Sequence, residues 1–244
     1  MLIHLLRERN FNMLKSDLIF RNPLRLMGQD TEDTLPPGGF GALLARAGLG
    51  KTALLVQLAV DTLIQDKNVL HVSLGDPVKK VCLWYEEVFR NIAAQYGIRQ
   101  SDRLWEEILP HRLIMTFNVD SFSVPKLEER LTDLREQNIF SPRIILIDGL
   151  AFDGNVKASL TALKKLAKDQ AMSVWFTVRI HRHEAPGPDG MPAALSGIGD
   201  LFEAILQLQP EEKGIRLVPL KGRSAQGPSP LLLDTSTMLV KIEK

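Results

Sequence analysis

"FGALLARAGLGKTALLVQLAV", residues 40–60, decides how this chain is read. It opens on a short apolar run, passes through the glycine-bearing octet "ARAGLGKT" at residues 45–52, and continues into a segment of helical spacing. A strand, loop and helix in that order set consecutive backbone N–H groups at a helix N-terminus, where an anion is favoured. Gly48 and Gly50 let the backbone curl around phosphate oxygens with no Cβ in the way. Lys51 then supplies a cation for β- and γ-phosphates, and the Thr52 hydroxyl a ligand for Mg²⁺. The expected phosphate cradle is the whole octet: Ala45, Arg46, Ala47, Gly48, Leu49, Gly50, Lys51 and Thr52. Its first position departs from the usual pattern, with Ala45 in place of glycine. That position lies where strand becomes loop, and a methyl group there is sterically mild.

Outward from this stretch, β-rich apolar runs alternate with helical segments, the pattern of an α/β domain around a mostly parallel sheet. The strand candidates are "FGALLA", "NVLHVSL", "RLIMTFN", "RIILID" and "SVWFTV"; the helix candidates span 52–65, 77–96, 125–137 and 156–170. In the second helix Val78, Val81, Cys82, Tyr85, Phe89 and Ile92 recur at three- and four-residue spacing, which predicts a sheet-facing stripe and a core position for Cys82. From about residue 203 the runs "EAILQLQ", "GIRLVPLK", "PLLLD" and "TMLVKI" are separated by turns and read as a closing antiparallel meander. Residues 183–199 form the one long Gly/Pro-rich loop.

Composition sets the bounds. At 244 residues, 45% hydrophobic, the chain builds one substantial core, so residues 30–244 are expected as one domain behind a helical extension at 1–29. Thirty basic against 29 acidic residues leave a charge of +1, and no global field draws the protein to nucleic acid or an anionic membrane. One cysteine excludes an internal disulfide. No apolar run reaches the roughly 18 residues of a membrane span, and the early charges Arg7, Glu8 and Arg9 argue against a signal peptide, so a cytoplasmic protein is expected.

A second motif supports the first. "RIILIDGL" is an apolar strand ending in Asp148, a carboxylate positioned to hold Mg²⁺ through water. In order and spacing, "ARAGLGKT", "RIILIDGL", "SVWFTVRIHR" and the late "LKGR" resemble the RecA-like ATPase core shared by DnaB-type replicative helicases, RadA-type recombination proteins and KaiC-type proteins. The resemblance covers roughly residues 30–240. It implies an α/β P-loop NTPase fold in which the "SVWFTV" strand separates the Asp148 strand from the phosphate-loop strand. It also implies self-assembly into rings or filaments with ATP at the subunit interface.

The resemblance extends to catalytic positions, with departures. A Lys-x-Arg pair on a late strand reaches the neighbour's site in these helicases; here it falls on Lys221 and Arg223, whose other reading is a solvated strand end. The polar sensor, commonly Gln, matches Arg179, which either reads the γ-phosphate as a cation or forms a salt bridge. The glutamate that polarises the attacking water is replaced by Gly75 in "VSLGDP", with Asp76 one residue later and one methylene shorter. If Asp76 does not reach the water, ATP binds and turns over slowly.

In the resembling family the segments after the Asp148 and Arg179 strands contact DNA, here "AFDGNVK" and the 183–199 loop. Few cations and no aromatic platform argue against strong binding of single-stranded DNA there. "HRH" at 181–183 lacks zinc-site spacing and reads as a polar strand exit. The lysines of "ASLTALKKLAKDQ" read as a solvated face. "LIHLLRERNFNML" carries an apolar stripe for docking on a neighbouring subunit, unless Met13 is the true start. Two functions follow: an oligomeric ATPase in a DNA-associated process, or a nucleotide-gated regulator or scaffold that binds another protein with little turnover.

Overall fold

The computed structural model describes residues 15–16, 18–19, 35–118, 121–153, 156–181, 187, 190–212, 214–222 and 230–243. Within them run nine strands: β1 (Phe40–Ala45), β2 (Val69–Ser73), β3 (Arg112–Thr116), β4 (Ile144–Asp148), β5 (Ser173–Arg179), β6 (Ala204–Glu211), β7 (Gly214–Lys221), β8 (Leu231–Leu233) and β9 (Val240–Ile242). The helices are α1 (Lys51–Ile64), α2 (Val78–Tyr96), α3 (Ser101–Ile108), α4 (Val124–Glu136) and α5 (Val156–Asp169).

All nine strands join one sheet in the order β3-β2-β4-β5-β1-β6-β7-β8-β9. Strands β1 to β6 pair in parallel, and β7, β8 and β9 close the sheet in antiparallel. β5 separates β4 from β1, the strand order expected above. The closing antiparallel meander expected from the sequence is β6-β7-β8-β9, and β6 joins it to the parallel sheet by pairing with β1.

The parallel strands are apolar throughout because both faces are covered. Along β1, Leu43 and Ala45 enter one core with α1, α2 and α3, while Phe40, Ala42 and Leu44 enter the other with α4 and α5. Helix α1 is buried almost all round. Beneath the closing strands its Gln57 amide bonds the Met238 carbonyl and accepts Val240 N–H at 2.9 Å. That polar clamp holds the antiparallel edge over the helix.

The helical reading is refined by the structure. The sheet-facing stripe of α2 is Val81, Tyr85, Val88, Phe89 and Ala93. Val78, in the first turn of α2, is 44% exposed although 100° per residue keeps it in line with this stripe, and Cys82 is half-buried, its Sγ accepting a hydrogen bond from Arg112 at 3.7 Å. Helix α3 has no counterpart in the sequence reading, although Leu104 and Ile108 are four apart and both buried, with Asp102 in the first turn. Of the N-terminal extension, Lys15 is buried between Asp66 and Glu107 at 2.7 and 2.6 Å, and Leu18 enters the core, so the described part of 1–29 docks on its own chain. Residues 1–14, with the stretch expected to dock on a neighbouring subunit, lie outside the described residues.

Gly41 marks where the sheet is tightest. It lies opposite Trp175 across the β1–β5 ladder, and a Cβ on it would stand 2.5 Å from the indole ring. Trp175 is 1% exposed and has nowhere to retreat. We expect Gly41→Ala to destabilise the fold by about 1–3 kcal/mol, the cost of overpacking a filled core, read as a lower urea midpoint at unchanged slope.

Candidate nucleotide site

The loop between β1 and α1 has two residues in the left-handed region, Gly48 at φ +77° and Gly50 at φ +79°. At Gly48 the demand is conformational alone, because a Cβ would meet nothing within 4 Å. At Gly50 space is limiting as well, since a Cβ would stand 2.6 Å from Leu233 Cδ2 of β8. Gly50 caps α1 without a side chain, and no acidic residue occupies the first turn, so the helix start presents its N–H groups and positive dipole end with no carboxylate of its own. Ala45 is fully buried, with its methyl in the core beside α1 and its backbone outside the left-handed region. No feature of that position calls for glycine.

Lys51 folds back over the loop, its Nζ donating to the Ala45 and Arg46 carbonyls at 2.9 Å each. Burial pulls the ammonium below the ordinary lysine value of 10.5; the Asp148 carboxylate opposes that shift and the Arg179 guanidinium adds to it. Arg179 ends β5 directly opposite Ala45, which brings two cations to the loop. Thr52 donates to Asp148 Oδ2 at 2.8 Å, and Thr177 of β5 donates to Asp148 Oδ1 at 2.5 Å. Thr177 was not singled out from the sequence; it reads there as one more β-former in "SVWFTV", and only its place on the same strand face as Arg179, two residues on, distinguishes it.

Five expected residues thus converge at the C-terminal edge of the parallel strands: Ala45, Lys51, Thr52, Asp148 and Arg179. The rest are placed as follows. Arg46 lends its carbonyl to Lys51, while its side chain lines a groove of about 520 Å³ with His181, Gln207 and Gln209. Ala47 and Gly48 are exposed at the loop tip, and Leu49 packs on the core. Asp76 follows β2 in a turn braced by the Ser73 hydroxyl, which donates to the Asp76 carbonyl and accepts its N–H; its carboxylate is taken by Lys80 at 2.9 Å. Lys221 donates to the Gly199 carbonyl at 3.0 Å and pairs with Ile205, whose β1 neighbour is Ala42, about 10 Å back along the strand from Ala45 at about 3.3 Å per residue. Lys221 therefore stands away from the β1–α1 loop of its own chain. Arg223 lies outside the described residues, as do residues 183–186 and 188–189 of the 183–199 loop.

The surface readings also change in part. Lys164 is not simply solvated: it donates to the Leu201 carbonyl and to both Glu203 carboxylate oxygens, and sits 4.5 Å over the Phe40 ring, pinning the start of β6. Lys165 and Lys168 are exposed. Phe152 of "AFDGNVK" packs on Phe176 and Phe202 rather than standing free. On β2, His71 is fully buried against the Tyr85 hydroxyl at 3.2 Å; burial pushes it down to about 4, so it is neutral near pH 7.

Among the described residues no three His, Cys, Asp or Glu side chains cluster as a metal cage, and no helix is long and apolar enough to cross a membrane. What the loop offers a cation is two hard oxygen donors, Thr52 and Asp148, a set that suits Mg²⁺ arriving with phosphate oxygens and water. The fold and site define the molecule as an α/β protein whose mostly parallel sheet is flanked by helices and extended by antiparallel strands, with a glycine loop at its first strand–helix junction. The chain matches no family model and no curated protein.

Proposed function

We propose that this chain is a Mg-ATP-binding, RecA-like P-loop ATPase that works as an oligomer in a DNA-associated process. The observation that carries the reading is the convergence of Lys51, Thr52, Asp148 and Arg179 around an open helix N-terminus, on strands ordered β4-β5-β1. Lys51 and Arg179 form a cationic pair offset only by Asp148, a field that favours a polyphosphate. On binding, Lys51 exchanges the two carbonyls for phosphate oxygens, and the loop N–H groups donate to the same anion. Thr52 and Asp148 would hold Mg²⁺, which would supply charge neutralisation to the bound polyphosphate. Arg179, at the strand end beside the loop, supports a γ-phosphate contact. Lys221, about 10 Å back along the strands from its own loop, supports a role toward a neighbouring copy.

A second reading is favoured by a specific observation. Gly75 stands at the water-polarising position, and Asp76, the adjacent carboxylate, is engaged by Lys80. With no group committed to the water, ATP would gate assembly or a protein partner and turn over slowly. Steady-state ATPase rates with and without single-stranded DNA decide between the two. The motor reading expects measurable turnover that DNA stimulates; a rate at background in both, with ATP bound, selects the regulator.

A further inference from the structure

We propose that Thr177 is a positioning residue for the metal-binding carboxylate, an inference that rests on the Mg-ATP reading of this site. Its side chain is 3% exposed on β5, the strand between the phosphate-loop strand and the Asp148 strand. A threonine hydroxyl carries one proton and two lone pairs, and here both roles are assigned. The proton goes to Asp148 Oδ1 at 2.5 Å, and the oxygen accepts Gly149 N–H at 3.1 Å. With the rotor fixed from both sides, Oδ1 is occupied and Oδ2 is turned toward Thr52, 2.8 Å away.

Without the hydroxyl, Thr52 alone among these partners holds the carboxylate, through Oδ2, and its terminal torsion, which is broad and roughly two-fold, is less restrained. The metal would then meet a carboxylate that must be ordered on binding. Thr177 also lies on the same face of β5 as Arg179, two residues away, so the strand that aims the carboxylate carries the cation facing the loop as well. A purely structural role, satisfying the Gly149 amide in a turn at φ +94°, would use the same hydrogen bond but leave metal affinity alone.

The test is a Mg²⁺ titration of binding of a non-hydrolysable ATP analogue by calorimetry, in wild type, Thr177→Val and Thr177→Ser, with circular dichroism alongside. Thr177→Val should need about tenfold more Mg²⁺ for half-maximal effect, as for loss of a group that orients a metal ligand, while affinity in EDTA stays within about twofold. Thr177→Ser, which keeps the hydroxyl, should restore the wild-type response. In the nucleotide-free protein, amide exchange at Gly149 should quicken in Thr177→Val and not in Thr177→Ser. If valine's second methyl prevents folding, Thr177→Ala serves in its place. A wild type that responds to Mg²⁺, with a hydroxyl-free variant that responds equally, overturns this inference alone. A wild type that binds the analogue without regard to Mg²⁺ overturns the metal reading and this inference with it.

Discussion

Lys51→Ala is expected to weaken ATP binding by about 100-fold or more while the fold survives. The loss corresponds to roughly 2.8 kcal/mol, the upper part of the range for a hydrogen bond between charged groups. The reason lies in what the side chain touches. Its ammonium bonds only the Ala45 and Arg46 carbonyls in the free protein, and once Nζ is gone water can replace it there. The lysine supports no packing that alanine would empty, because the buried residues of α1 begin at Ala53. Because burial and Arg179 hold the ammonium below its ordinary value, the site gains from an incoming anion more than an exposed lysine would. Calorimetric titration with Mg-ATP, with circular dichroism of the same samples, checks both halves. Unchanged affinity would remove the phosphate-loop assignment.

Gly75→Glu is expected to raise ATP turnover by about 100-fold, the lower end of what a positioned acid/base group contributes. Gly75 is exposed just beyond β2, its backbone is not left-handed, and a Cβ there meets no heavy atom within 4 Å. A glutamate would therefore enter without strain. It would enter close to the site, because the Gly75 amide lies 3.6 Å from the Cβ position of Gly149, the residue after Asp148. Multiple-turnover ATPase assays at saturating Mg-ATP measure the gain, and Asp76→Asn in the same assay separates the sources of any wild-type rate. If Asp76 orients the water despite its bond to Lys80, its amide variant loses the wild-type turnover and Gly75→Glu adds little. If both variants leave the rate unchanged, the water is positioned by neither residue.

The glycine-bearing loop between β1 and α1 was legible because its parts are local. A strand, two glycines forced left-handed, a lysine and a helix start lie within residues 40–60, and neighbours in the chain are neighbours in space. The short helix α3 escaped notice for the converse reason. Its eight residues bury only Leu104 and Ile108, too few apolar positions to establish a period without the surface they pack on. Cys82 and Val78 keep the angular positions that their spacing predicts, yet Val78 is exposed in the first turn of the helix and Cys82 is half-buried beside Arg112, since spacing gives a direction and not what covers it.

By itself, then, the sequence determined the alternation of strands and helices, the loop, and the residue types at Lys51, Thr52, Asp148 and Arg179, because periodicity, glycine conformation and charge are properties of short stretches. Tertiary structure decided which of these meet. Thr52, Asp148 and Thr177 come from three elements and bond only because β5 inserts between β4 and β1. Lys164 left its expected solvated face for Glu203, 39 residues away, and Lys15 found Asp66 and Glu107 across 51 and 92 residues. Such partners are chosen by the register and packing of distant segments, a choice made by the whole core, and no local pattern of residues encodes it.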